Sequence, residues 1–503
     1  MMLSFASSLL GISLAASVVA SQETAPPQDQ PAAEQIPANN GAAVAPAPNS
    51  DVPEAEAPVG PMPGVRTVSL DESISMALQG NFGLLSSADI VASARLAEGV
   101  QRAAFLPQVT PLFQRSPNET TVGASLDQAL PWSGGFLHGS FGTHSPHDGL
   151  AARSSELNAT LVQPLLRGFG PTTSLFALRN ARRARESQER SFALARQSLI
   201  VQVTEAFYQV IRQRQLVEVS RQSLKRGASL KKASQARMLV GMVSKLDVFR
   251  AEIQEAQASE SLVAAETGLD TALESFRVLL GLSPRTPLEP EPVRLDAEVS
   301  LALEPVETLT TRALEHRLDL KDSRDRVQDA RRALAYARQS LLPTLDVNVE
   351  LSQTGVGATL ADSLRSFDRR VGVTLSAGFP LQRAADRAQQ TTGELNLRAA
   401  ERNLRQMEMQ VEAEVLAAAR RIELLRKSID LQRQGLVFAE QQQRLATLRY
   451  QRGLASNFDV VDAEGNLVST RTALVGLLTD LAVARSELLR VVGVLETPSE
   501  DAQ

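Results

Sequence analysis

Two aspartates three residues apart, Asp459 and Asp462, are the most pointed chemical pair in this 503-residue chain. At that spacing on a helix they share a face. Such a pair can draw cations. Asp459 also suits the first turn of a helix, where a carboxylate favours the helix dipole, and Ser456 stands where an N-cap would. An earlier stretch carries Ser244 and Asp247 in the same relation, with Arg250 in place of the second aspartate. Three of the four histidines, His138, His144 and His147, fall in one Gly-rich stretch. Such a trio could bind a metal. A solvated loop is the reading its composition suggests. With no cysteine, disulfides, thiol catalysis and Cys-ligated metals are excluded. No phosphate-binding glycine loop and no patterned Ser/His/Asp set occurs. The chain is therefore read as a non-enzyme without catalytic, cofactor or metal residues. Its net charge of −5 leaves no nucleic-acid footprint.

The elements that carry these residues occur twice. Arg237 to Gly281 matches Arg449 to Gly493 at a constant shift of 212, with thirteen identities that include Arg237, Gly241, Ser244 and Asp247. Ala77 to Pro107 matches Ala313 to Pro343 at a shift of 236. Repeats on this scale imply two similar halves. Each half reads as a helix ending in Leu-Pro, then strand-like segments, then a long helix, a short break and a return helix. Helices are expected over about Asp71–Leu106, Thr173–Leu239, Pro305–Leu342 and Ala384–Tyr450. The breaks fall at Gly241–Ser244 and Gly453–Ser456, and the return helices end near Gly281 and Gly493. Proline stops the shorter helices. Glycine supplies the positive φ that a tight turn between antiparallel helices needs. Leu404 to Ile429 steps by three or four with Leu436 seven further on, and Leu467, Leu474, Leu481, Leu488 and Leu495 recur every seven. That is a coiled-coil seam, and these leucines are expected in the core.

Strands are expected at Asn158–Leu166, Leu345–Leu351 and Arg369–Phe379, with a hairpin turn at Trp132-Ser133-Gly134-Gly135. The span Pro107–Pro164 is markedly longer than its counterpart Pro343–Pro380. The excess enlarges exterior loops or adds a hairpin around Trp132 to Gly142. Residues 1–20 read as an export signal and 21–64 as a disordered Pro/Ala-rich linker. The two repeats span 65–290 and 291–495, and 496–503 form a disordered tail. No later helix is expected to cross a membrane, so insertion must use strands. Two strands per half make four per chain, too few to close a barrel. Three copies would supply twelve.

The chain resembles the TolC family of outer-membrane efflux and secretion channels over about Val68 to Leu495. The likeness rests on "FLPQVTP" and "SLLPTLDV", on "LVQPLLRG" and "SAGFPLQR", and on the tip patterns "VGMVSKLDVFRAE" and "YQRGLASNFDVVDAE". It implies a mainly α fold with a β-barrel contribution: duplicated coiled-coil hairpins and four membrane strands per chain. It also implies a homotrimer in outer-membrane lipid, with the helices in the periplasm. Such a trimer is the exit duct of a tripartite pump or type I secretion system. Its partners would be a periplasmic membrane-fusion adaptor and, through it, an inner-membrane transporter of the RND or ABC class. Carried over, Asp459 and Asp462 would form a ring of six carboxylates at the closed entrance. Tyr450 matches the family's tip-restraining tyrosine, and its arginine partner is Ala455 here, with Arg452 nearby. Gly241, Ser244, Asp247, Gly453 and Ser456 form the adaptor-docking tips. The other reading is a periplasmic coiled-coil adaptor or scaffold without a channel. Such a protein normally has one hairpin, not two each preceded by strands.

Overall fold

The computed structural model describes residues 66–147, 152–293 and 304–495. The expected signal segment, linker and tail lie outside them. In chain order the first half holds β1 (Arg66–Val68), α1 (Leu70–Gly80) and α2 (Phe82–Ala103). Four strands follow: β2 (Gln108–Arg115), β3 (Glu119–Ala129), β4 (Phe136–Pro146) and β5 (Arg153–Pro164). Then come α3 (Pro171–Ser174), α4 (Phe176–Leu239) and α5 (Lys245–Leu279). The second half holds β6 (Leu288–Pro290), α6 (Val306–His316), α7 (Leu318–Gln339), β7 (Thr344–Gly357), α8 (Leu360–Arg365) and β8 (Phe367–Gly378). It ends with α9 (Ala384–Gln451) and α10 (Asn457–Val492).

The duplication is carried into the elements. α6 and α7 repeat the 11 and 22 residues of α1 and α2, at the shift of 236 found in the sequence. α4 and α9 end at the shift of 212, and α5 and α10 start at it. The expected helix over Asp71–Leu106 is broken at Asn81. There the extended backbone ends α1, and the side chain accepts the Leu84 N–H to start α2. Arg317, in the same conformation, divides α6 from α7. β1 pairs in parallel with β6, which lies at the junction of the two halves.

The seam residues are where their period puts them. Val411, Val415, Ile422 and Ile429 of α9 are fully buried, and Leu467, Leu481 and Leu488 of α10 are buried beside them. Phe207 of α4 packs edge-on to Phe276 of α5, both at 0% exposure. α10 is long and apolar enough to cross a membrane, but its leucines are consumed by this core. Ion pairs set four helices side by side in the order α2, α4, α7, α9. Glu98 and Arg95 of α2 pair with Arg185 and Glu189 of α4. Arg190 of α4 pairs with Asp322 of α7 at 2.9 Å, and Arg331 of α7 with Glu401 of α9 at 3.3 Å.

One expectation is corrected. The larger sheet has six strands, not four, in the order β2-β3-β4-β5-β7-β8, and every neighbouring pair is antiparallel. The excess length of the first half adds a hairpin, and Pro131 to Gly135 is its turn. Leu130 and Gly135 close that turn by a backbone bond of 2.8 Å. The strand expected at Asn158–Leu166 is the end of a longer one, β5, which stops at Pro164. The histidines are corrected with it. His138 and His144 lie in β4, and His147 lies just beyond, so a strand frames what composition marks as a loop. The side-chain period of two runs through the whole register. On one face Phe113, Leu126, Phe141, Leu161, Val349 and Val373 follow one another from strand to strand. The other face carries Thr110, Ser125, Ser140, Asn158, Ser352 and Arg370.

Candidate functional site: the two helix tips

At the end of α4, Gly241 adopts φ 74°, and at the end of α9 Gly453 adopts φ 77°. The positive φ lets the chain reverse while the next N–H reaches back into the helix. Met242 N–H bonds the Arg237 carbonyl and Leu454 N–H bonds the Arg449 carbonyl, each at 2.9 Å. This pattern closes a helix C-terminus on glycine. A β-carbon on either glycine would meet nothing within 4 Å. At both glycines the backbone of the turn is open to solvent.

The return helices start alike. Ser244 and Ser456 are N-caps whose hydroxyls accept from Asp247 N–H and Asp459 N–H, and the aspartates answer through the serine N–H. These are reciprocal capping boxes. Asp247 therefore has the helix-start role that its position suggests, and also meets Arg250 at 3.6 Å. Asp459 caps through Oδ2, accepting Ser456 N–H at 2.7 Å and its hydroxyl at 2.9 Å. Those bonds, the backbone one foremost, hold its carboxyl below the usual aspartate range. Asp459 and Asp462 are both exposed on one face of α10, and Asp462 accepts from Asn466 at 3.4 Å. Capping does not neutralise Asp459, so the face keeps two carboxylates.

Tyr450 is buried, and what holds it is not adjacent in sequence. Its hydroxyl lies 2.8 Å from the Ser234 hydroxyl of α4. The Arg237 guanidinium lies 4.4 Å from its ring centroid and donates to the carbonyls of Tyr450 and Gln451. Asn457 at the start of α10 donates to the Asp247 carbonyl at 2.7 Å. Behind this lies a cavity of about 270 Å³ between α4, α9 and α10, with Arg226 bonded to the buried Glu464 at its edge. The two tips are therefore one clamped unit. Sequence reasoning missed Arg237, although its identity with Arg449 marked it. Arg452, the arginine nearest Ala455 in sequence, lies on the exposed turn.

On the polar face of the sheet His138 meets Asp127 at 2.7 Å, and His144 meets Thr121 at 3.0 Å and Glu119 at 3.8 Å. Among the described residues no three His, Cys, Asp or Glu side chains converge on one point that could hold a metal.

The chain thus joins a six-stranded sheet with one apolar face to two helices of 64 and 68 residues. The model of the outer membrane efflux protein family covers residues 73–282 and 309–494, more than half of the chain. The chain belongs to this family. A relative, the cobalt-zinc-cadmium resistance protein CzcC of Cupriavidus metallidurans, is 24% identical over 456 residues, covering 88% of this chain and 94% of its own. The solved structure of VceC from Vibrio cholerae shares the fold with a TM-score of 0.67 at 19% identity, over 85% of this chain and 97% of that one. CusC does so with a TM-score of 0.65 at 17% identity, over 88% and 99%. As a member of the outer membrane efflux family, the protein places its strands in the outer membrane and its helices in the periplasm. The tips lie at the ends of α4 and α9 farthest from the sheet.

Proposed function

We propose that three copies of this chain form the exit duct of a tripartite efflux pump, and that its cargo is divalent transition-metal cations. The observation that carries the duct is the two-faced sheet. Its apolar face suits lipid and its polar face suits water, while among the described residues its two edges are unpaired. Solvent-facing tip turns that repeat each other, where no packing demands it, support docking to a periplasmic adaptor, and through it to an inner-membrane transporter of the RND or ABC class. The metal cargo draws on the likeness to the cobalt-zinc-cadmium resistance protein and on the His138–Asp127 and His144–Glu119 pairs of the polar face. Type I secretion uses the same duct with a protein cargo. An adaptor or scaffold has no use for a sheet with a continuous apolar face.

The test is complementation. Cells lacking their own channel, supplied with this one and a matching adaptor and transporter, should accumulate less zinc and cobalt. Unchanged metal with lowered organic dye would remove the metal cargo and keep the duct. Cross-linking that trapped no trimer would remove the duct.

A further inference from the structure

We infer that the hairpin β3–β4 widens the membrane wall, so that β2 of one copy pairs with β8 of the next and three copies close a barrel of eighteen strands. This rests on the trimer proposed above.

The first argument is direction. β2 leaves α2 and runs away from the helices, and β8 returns to them at α9. Alternation is unbroken from β2 to β8. β8 of one copy beside β2 of the next is therefore antiparallel, and the ring closes without a fault. An insertion of one strand would have spoiled that closure; two preserve it.

The second argument is the seam. Unpaired backbone N–H and C=O groups are costly in hydrocarbon, so both edges need a partner there. On β8, Val371, Val373 and Leu375 share the apolar face at 60–70% exposure. On β2, Val109 and Phe113 share it at 66% and 71%. A second copy of this chain continues both faces across the seam.

The third argument is that the hairpin is built into the rim of the wall. At one side Gln128 of β3 donates to the Phe105 carbonyl just past α2, at 2.6 Å. At the other, the Ser174 hydroxyl donates to the Pro131 carbonyl at 2.5 Å, and Gly170 N–H to the Ser133 carbonyl at 3.1 Å. Gly134, at φ 75°, sits so close to the Gly168 carbonyl that a β-carbon there would lie 2.3 Å from it. The turn thus fills the gap between α2 and α4.

Widths agree. Four helices side by side at about 10 Å span about 40 Å of circumference per copy. Strands about 4.8 Å apart and tilted by about 40° each take about 6.3 Å of circumference. Six strands span about 38 Å and match the helices, whereas four span only about 25 Å. On the same spacings, eighteen strands give a wall radius of about 18 Å and twelve about 12 Å.

The absence of native cysteine makes the test clean. Asn158→Cys and Ala159→Cys, neighbours on opposite faces of β5, are spin-labelled one at a time in the full-length protein in detergent. Pulsed dipolar spectroscopy then reads the separation between copies. The mean of the two positions brackets the backbone. Three points on the wide wall lie about 31 Å apart and on the twelve-stranded wall about 21 Å apart. A mean near the larger separation supports the inference. A mean near the smaller one overturns it, leaves the trimer standing, and places the hairpin off the wall. No dipolar coupling at all would mean separate chains and remove the trimer with it.

Discussion

Arg237 stacks its guanidinium 4.4 Å from the Tyr450 ring centroid and donates to two carbonyls at the end of α9, 213 residues away in the chain. One side chain of the first hairpin therefore holds the tip of the second. The tip cannot swing away without breaking a cation–π contact and two charge-assisted bonds together.

Arg237→Ala should loosen the tip. Loss of these contacts is worth about 2 kcal/mol, or about thirtyfold in the population of an opened tip. Single-channel recording should show raised conductance, and amide exchange should speed up over residues 449–456. Tyr450→Phe loses only the bond to Ser234, about 1 kcal/mol, and should have the smaller effect. Equal, wild-type behaviour of both variants would show that the clamp does not restrain the entrance.

Capping and gating by Asp459 can be separated. Ser456→Ala removes the cap hydroxyl, costs about 1 kcal/mol of tip stability, and should leave ion selectivity alone. Asp459→Asn with Asp462→Asn keeps a side-chain acceptor at the cap and removes the charge. It should weaken cation preference and divalent block, and it should speed tip exchange at neutral pH as protonation of Asp459 does in the wild type at low pH. Unchanged block in the double variant would leave Asp459 with the capping role only.

The pH response has a definite sign. The Ser456 bonds depress the Asp459 carboxyl below its ordinary value of 3.8. A depressed acid stabilises the fold fully at neutral pH and loses that contribution as pH falls through the depressed value. Tip protection in amide exchange should therefore persist to pH 4 and fail only below it. Loss of protection between pH 7 and 5 would contradict the geometry of the cap.

Docking can be read from bulk at the turns. Gly241→Ala and Gly453→Ala meet no neighbour and should cost only the positive-φ strain, about 1 kcal/mol each. Gly241→Trp and Gly453→Trp add bulk that only a partner would feel. Export should survive the alanines and fail with the tryptophans while trimer yield is unchanged. Export with all four variants would exclude the tips as the adaptor's seat.

The core makes a separate demand. Phe207 is fully buried against Phe276 where α4 meets α5. Phe207→Ala should cost about 3–5 kcal/mol and lower the melting temperature of the helical part. An unshifted melting curve would show that the site collapses without leaving a cavity.

The residues alone determine the two halves, the tip turns, the caps and the helical core. All of these depend on local spacing: a period near 3.5, a glycine at the turn, a serine three residues before an aspartate. The shifts of 212 and 236 carried the helix boundaries from one half to the other almost residue for residue. Three matters were left to the tertiary structure. The number of strands was one, because short Gly-, Ser- and Thr-rich strands differ little in composition from loops, and only pairing across the ladder distinguishes them. The placing of His138 and His144 on a strand face followed from the same pairing. The third was the grip of Arg237 on Tyr450. It joins side chains 213 residues apart, a distance over which no local rule operates, and it exists only because four helices pack with their tips in register.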